Sequence, residues 1–328
     1  MYRTALLRPG VAPTLDGSLP AQAEPPSGKD SAPDRVMQTA ELHPLPAEDH
    51  GPEPSPGSRP LTGRLSRAHR AAGASFLLAF ALGFVHLRLA AIPLAIFVVL
   101  CLAAPSFPGW SFFLPILSAG PRSRGAVTLT FDDGPDPLTT LPLLDLLARY
   151  GVKAAFFVVG ERAEAHPCLI REILARGHEI GNHSHSHDLF LMLRRSATLH
   201  REVSACQETL SRQGVRSLVF RPPLGMTNSR LPGVLHRFGL VAVGFACRPL
   251  DFGNRRVKGL GHRVLRTVER GDVVLLHDCP PRGGVAPWLR EIDTILGGLR
   301  ERGVGIVPLS ALLGRRVMEK GEPERQAE

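Results

Sequence analysis

Cysteine is scarce in this chain of 328 residues, and the few cysteines present are scattered. There are five, an odd number, at Cys101, Cys168, Cys206, Cys247 and Cys279. No two of them form a C-x-x-C pair. This spacing argues against both a disulfide framework and a thiolate zinc site.

Large aromatic residues are also few, with two tryptophans and two tyrosines, although the formal net charge is +9. The basic residues are spread singly, and no basic stripe is interleaved with aromatic residues, as a nucleic-acid interface would require. We therefore expect no nucleic-acid partner. The excess charge is typical of solvated helix faces and of segments that flank a membrane.

The amino-terminal segment, residues 1–70, lacks any apolar period. It is rich in proline, serine, glycine and charge, as in "PAQAEPPSGKDSAPD". Such a composition buries too little apolar surface to offset the entropy of ordering. We predict a disordered tail.

Residues 71–118 form the apolar part of the chain, and no small-residue cleavage site marks them as a signal peptide. The run is too long for one membrane span of about 20 residues and just long enough for two short helices. It predicts a membrane anchor, with the lipid bilayer as partner and the cell inner membrane as location. Arginines on the amino flank favour a hairpin with the domain after residue 118 facing the cytoplasm, whereas a single crossing would place that domain outside.

From residue 123 to 312, short apolar runs alternate with amphipathic helical stretches, which is typical of repeated βα units. Seven candidate strands predict an α/β fold, a parallel (β/α)7 barrel smaller than the eight-unit version, with an open doubly wound sheet as the alternative. The strands are "AVTLTF", "AAFFVV", "HEIG", "SLVF", "LVAVGF", "DVVLLH" and "VGIVP". Residues 313–328 form a charged carboxyl-terminal tail.

Polar residues follow these strands at the edge where parallel folds carry their chemistry. In chain order they are Asp132 and Asp133, then His183, His185 and His187, then Arg221, Asp251 and His277. Residues from distant parts of the chain would thus converge on one rim.

The aspartates of "TFDDGP" and the histidines of "GNHSHSHD" predict a catalytic metal site. A metal separates two adjacent carboxylates, since Asp133 binds it while Asp132 stays free as a base. Two imidazoles and one carboxylate leave positions open for water. If the histidines lie on a strand, all three share a face; on a helical turn only His183 and His187, four residues apart, do so.

Two further segments complete the constellation. "FRPPLG" places Arg221 where it can pair with a carboxylate at the rim, and backbone N–H groups near Leu224 where they can face an oxyanion. "LLHD" sets His277 at a strand end within reach of Asp251. A histidine held by a carboxylate has a raised pKa and can act as a general acid.

In this order the motifs resemble the NodB-type polysaccharide deacetylases, carbohydrate esterase family four. The resemblance covers residues 123–312 and rests on "TFDDGP", "GVKAAFFVVG", "GHEIGNHSHSH", "FRPPLG" and "LLHD". It implies a distorted (β/α)7 barrel of NodB type and a metal-dependent hydrolase that removes N-acetyl or similar acyl groups from amino sugars of a polysaccharide, peptidoglycan or lipid-linked saccharide. The implied metal is zinc, with cobalt or nickel as alternatives.

The resemblance also implies a role for each residue. The metal ligands are Asp133, His183 and His187, which leaves out His185. The general base is Asp132 with Arg221 as its partner, and the general acid is His277, whose pKa Asp251 tunes. The Leu224 N–H contributes to the oxyanion site.

The chain departs from the family pattern at three positions. The family usually has an aromatic residue in place of Leu224, tryptophan in place of Phe252 and aspartate in place of Arg248. Because of these changes, the resemblance does not specify which sugar is the substrate. Alternatives to the amino-sugar deacetylase are a deformylase or amidase acting on a non-polymeric amide, and a catalytically dead sugar-binding module.

Overall fold

The computed structural model describes residues 66–104 and 110–321. Residues 1–65, which make up most of the predicted disordered tail, and residues 322–328 lie outside the described part. The domain limits at residues 70, 118 and 312 stay predictions.

Two helices open the described part, α1 (Arg67–Gly83) and α2 (Leu87–Ala103), and they pack against each other. Ser66 begins α1 by accepting a hydrogen bond from the His69 N–H. His86 begins α2, because its Nδ1 accepts from the Arg88 N–H at 3.2 Å. Side-chain caps of this kind satisfy amide groups that a helix start leaves without partners.

These helices correct the predicted membrane anchor. Each has 17 residues, and a helix of that length spans only about 25 Å of the roughly 30 Å hydrocarbon layer. Within residues 66–104 and 110–321, no helix combines the length and apolarity needed to cross a bilayer. This finding contradicts the predicted inner-membrane location and its cytoplasmic-facing arrangement, and it leaves the anchor and its lipid partner unsupported.

Parallel strands build the body of the fold as an α/β half-barrel. The sheet order is β1-β7-β6-β4-β3-β2-β8, with β9 paired to another part of β2, while β10 pairs antiparallel with β5. The strands are β1 (Ile116–Leu117), β2 (Ala126–Asp132), β3 (Ala155–Val158), β4 (Glu179–Asn182), β5 (Val215–Ser217), β6 (Val219–Phe220), β7 (Val241–Val243), β8 (Val273–His277), β9 (Gly305–Ile306) and β10 (Met318–Lys320).

The two ends of this curved sheet approach each other. The Leu275 N–H in β8 donates to the Cys247 carbonyl, just beyond β7, at 3.0 Å. Helices cover the outside of the sheet. They are α3 (Thr140–Arg149), α4 (Gly160–Ala165), α5 (Pro167–Ala175), α6 (Ser196–Arg212), α7 (Leu231–Phe238), α8 (Leu260–Thr267), α9 (Val285–Glu301) and α10 (Leu309–Leu313).

All seven predicted strand segments contain strands, and a half-barrel of parallel strands agrees with the predicted α/β class. The prediction missed two strands. β1 lies in the run assigned to the anchor, because its apolar residues continue that run without a visible break. β10 lies in the segment assigned to the charged tail; its two charged residues do not prevent edge pairing with β5.

Candidate active site

The register of the parallel strands brings the predicted site residues to one edge. Asp132 and His277 are direct partners at the ends of β2 and β8. Asn182 at the end of β4 pairs with Phe220 in β6, so the next residues, His183 and Arg221, are neighbours as well. Residues far apart in sequence are therefore assembled by strand pairing.

Three side chains form a cluster with the donor set of a metal site. The Nε2 atoms of His183 and His187 lie 3.4 and 3.0 Å from Oδ1 of Asp133. One ligand atom from each of the three residues lies within 4.8 Å of the others. The structure thus brings together the three residues that the resemblance implied as ligands.

The electrostatics of this cluster fit a cation. Burial disfavours the charged Asp133 carboxylate, but hydrogen bonds from His183 and His187 outweigh it and hold its pKa far below the usual range. Burial opposes charge on His183 too, yet Asp132 and Asp133 raise its pKa. A cation between the imidazoles and the carboxylate would take the place of the shared protons.

Hydrogen bonding orients His183 for such a role. Its Nδ1 donates to the Arg221 carbonyl at 2.8 Å, which leaves Nε2 directed at Asp133. This is the arrangement that metal-binding histidines commonly adopt, with one ring nitrogen donating to a carbonyl and the other bound to the ion.

The histidine segment is a loop, and neither the strand nor the helical turn that the sequence left open is present. Ser184 and His187 both have left-handed backbone, with φ of 68° and 54°, and this curls the chain so that His187 returns to Asp133. His185 packs against Gly160, where an added Cβ would lie 2.4 Å from its Nδ1. His185 is thereby kept out of the cluster.

Glu202, a residue that sequence reasoning missed, holds this loop in place. Its Oε2 accepts hydrogen bonds from the backbone of His185 at 3.2 Å and of Ser186 at 2.8 Å. Glu202 is buried in α6. The signal available in the sequence is a glutamate on the apolar face of an amphipathic helix. Nothing in the sequence indicated its partner.

Asp132 forms a fully buried ion pair with Arg221, as predicted from the motifs. The Nη1 of Arg221 lies 2.6 Å from Oδ1 of Asp132 and 2.8 Å from the Thr130 hydroxyl. Its Nη2 donates to the Gly244 carbonyl at 2.8 Å, and the guanidinium lies over the Phe157 ring. With every side satisfied, the pair can remain charged in the interior.

His277 and Asp251 form the second predicted pair. The Nδ1 of His277 lies 2.8 Å from Oδ2 of Asp251. Burial opposes protonation of His277, but this hydrogen bond and the charges of Asp251, Asp133 and Asp132 raise its pKa to about 9. A protonated imidazole at neutral pH is a proton donor.

Asp278, which follows His277, supports the Asp132–Asp133 turn. Its backbone N–H donates to the Asp132 carbonyl at 2.7 Å. Its carboxylate accepts from the hydroxyls of Thr139 and Thr140, both at 2.6 Å. Asp278 is the last residue of the "LLHD" motif, in which only His277 was assigned a role.

The clusters face one cavity of about 780 Å³, a volume typical of small-molecule sites. Its outer wall includes exposed apolar side chains, with Leu224 48% and Phe252 58% exposed. Leu224 has left-handed backbone, with φ of 58°, which is uncommon for a branched side chain and concentrates at functional sites. The role of its N–H stays a prediction.

A parallel α/β half-barrel gathers an Asp-His-His cluster, a buried aspartate–arginine pair and an aspartate–histidine pair, which are the kinds of groups that hydrolases use as ligands, bases and acids. The polysaccharide deacetylase family model matches residues 119–243. A peptidoglycan-N-acetylglucosamine deacetylase of Bacillus cereus is 32% identical over 197 residues, covering 59% of this chain and 90% of that protein. The chain belongs to the polysaccharide deacetylase family.

Further similarity agrees with this assignment. A chitooligosaccharide deacetylase of Azorhizobium caulinodans is 31% identical over 199 residues, covering 57% of this chain and 94% of that protein. The structure of the peptidoglycan deacetylase PdaC from Bacillus subtilis superposes with a TM-score of 0.52 at 31% identity, covering 57% and 89% of the two chains. The predicted family and enzyme class are confirmed, and deacetylases of carbohydrate esterase family four are metal-dependent.

Proposed function

We propose that this protein hydrolyses the N-acetyl amide of an amino sugar, with Asp133, His183 and His187 holding a divalent ion, zinc in the first place. The proposal rests on one observation: the ligand cluster, the Asp132 carboxylate that Arg221 holds from below, and the His277–Asp251 pair all line one cavity. A bound zinc ion would supply Lewis acidity toward water and the amide carbonyl.

Asp132 is the general base in this proposal. It takes a proton from the attacking water, whose oxygen bonds to the carbonyl carbon of the acetyl group. Arg221 fixes the direction of the carboxylate through the 2.6 Å contact. The backbone N–H of Leu224 donates to the carbonyl oxygen as negative charge develops there.

His277 is the general acid. Its Nδ1 is held by Asp251, so Nε2 carries the proton that passes to the amide nitrogen as the carbon–nitrogen bond breaks. The products are acetate and a free amine. The raised pKa of His277, about 9, keeps this proton in place at neutral pH.

The exposed apolar wall suits a sugar. Phe252 and Leu224 offer surface on which the apolar face of a pyranose ring can pack. Leu224 in place of the family's usual aromatic residue provides less of it. The proposal therefore names an amino sugar without specifying the polymer to which it belongs.

The test is acetate release by purified, zinc-loaded protein from N-acetylated chitooligosaccharides and from peptidoglycan fragments, with formate measured in parallel on N-formyl substrates. We expect acetate from at least one glycan, released at least about 10²-fold more slowly by Asp132→Asn. Zinc-loaded, folded protein that releases acetate from no glycan would overturn the proposal. Formate release alone would assign the same site to a deformylase.

A further inference from the structure

Four arginines line the cavity: Arg162, Arg248, Arg255 and Arg282. Arg162 donates to the Asp133 carbonyl at 2.8 Å. The other three are exposed, and they come from the segment after β7, the turn that follows Asp251 and the loop after β8. We call these three the arginine wall. Arg248 is also one of the positions at which the chain departs from the family pattern.

The carboxylates of the cavity do not neutralise the arginine wall. Each carboxylate is paired with another group: Asp132 with Arg221, Asp133 with the two histidines, and Asp251 with His277. Within residues 66–104 and 110–321, no guanidinium of the wall forms an ion pair or hydrogen bond. Arg248 lies 5.6 Å from the centre of the Phe245 ring, a contact that leaves its N–H groups free.

The backbone beneath the wall is held rigidly. The Arg282 N–H donates to the Asn254 carbonyl at 3.0 Å, which joins the loop after β8 to the turn that carries Arg255. The buried Asn254 side chain also donates to the carbonyls of His277 at 3.0 Å and Cys279 at 2.8 Å. These bonds hold the backbone that carries Arg255 and Arg282 beside His277.

Several unpaired cations at one wall of a cavity repel one another, and an anion bound there relieves the repulsion. Guanidinium groups match carboxylate and phosphate oxygens, to which they donate paired hydrogen bonds. A neutral glycan carries no anionic group with which these guanidiniums could pair.

From this we infer that the substrate is an anionic amino sugar, which carries a carboxylate or a phosphate ester that contacts the arginine wall while the acetamide faces Asp132 and His277. The inference rests on the proposed function and specifies its substrate class.

The experiment compares three versions of one N-acetylated oligosaccharide: with a carboxylate, with that carboxylate as its neutral methyl ester, and with a phosphate monoester. For wild-type protein at low ionic strength we expect kcat/KM for the better anion to exceed that for the ester by about tenfold. Whichever of the carboxylate and the phosphate monoester gives the higher kcat/KM is the anionic group that the arginine wall binds. Because exposed charges are screened by salt, the preference should shrink at high ionic strength.

Arg248→Gln, Arg255→Gln and Arg282→Gln should each lower the anion preference about two- to fivefold, the size typical of a partly exposed ion pair. The triple variant should bring it close to one while activity on the ester persists. Arg256→Gln is the matched control, since this neighbouring exposed arginine does not line the cavity. Thermal unfolding should be nearly the same for all variants.

Equal kcat/KM for all three versions would overturn the inference and leave the deacetylase standing. If acetate is released from none, the proposed function fails, and calorimetric binding of the same oligosaccharides decides the inference independently. Tighter binding of an anionic version, lost in the triple variant, would support the arginine wall. Equal binding would overturn it.

Discussion

The floor and the rim of the cavity differ sharply in how they are held. The floor is buried, with Asp132 4%, Arg221 0% and Asp251 1% exposed, and each charge has an opposite partner. The rim is open to solvent, with Leu250 43% and Phe252 58% exposed. A buried charge that loses its partner is costly, whereas an exposed side chain can change at little cost. In our interpretation, the floor carries the chemistry and the rim selects the substrate.

Strained backbone is common to both regions. Among the described residues, eight non-glycine residues have positive φ, and seven of them lie in the segments that form the cavity. They are Asp133, Ser184, His187, Leu224, Leu250, Phe252 and Asn254. Strain of this kind persists where surrounding structure enforces it, so the whole cavity edge is preformed.

The largest expected effect comes from removing a floor ligand. Asp133→Ala, His183→Ala and His187→Ala should each lose the metal, with activity falling by more than about 10³-fold, because two donors hold a divalent ion poorly. Elemental analysis of purified protein measures the metal, with His185→Ala as the control. Metal lost in His185→Ala and kept in His187→Ala would contradict the ligand assignment.

Next in size is the general base. Asp132→Asn should keep the metal and lower kcat by about 10²–10⁴-fold, the usual contribution of a positioned base. It also leaves the buried Arg221 without a counter-charge, so thermal unfolding should occur at a lower temperature. Steady-state kinetics at a temperature where the variant is folded separates the two effects. Near-full activity would show that another group is the base.

A smaller change is expected from Asp251→Asn, and it is read from a pH profile. Asp251 raises the pKa of His277, so the protonated form is present below about pH 9 and is lost as the pH rises through that value. Without the Asp251 carboxylate the pKa of His277 falls, because burial then opposes protonation with only the charges of Asp133 and Asp132 to offset it. The alkaline limb of the kcat/KM profile should move to lower pH. An unchanged limb would mean that His277 is not the acid.

The smallest effect is expected at the rim. Phe252→Ala should raise KM about three- to tenfold and leave kcat within about twofold, because an exposed ring contributes binding shared by ground state and transition state. Phe252→Trp should give a KM equal to or below the wild-type value, since the larger ring enlarges the stacking surface. A large fall in kcat for Phe252→Ala would remove the distinction between floor and rim.

Much of this site could be predicted because parallel strands present their carboxyl ends at one edge, so residues after β2, β4, β6 and β8 had to meet. The short polar motifs at those ends identified the ligand, base and acid candidates. Glu202 and Asn254 could not be found in this way. Their roles depend on backbone groups in other segments, and no local pattern marks a side chain that accepts from or donates to a distant loop.

The sequence alone specifies the α/β alternation, because the periods of strands and helices are local properties. It also specifies the order of chemical groups along the chain, since the residues that end each strand can be read directly. Three features are visible only in the folded protein: the choice of histidines that meet Asp133, the two 17-residue helices of the apolar segment, and the shared wall of three separate arginines. These features depend on left-handed loop residues, on element lengths and on contacts between distant segments, and such contacts exist only in the folded chain.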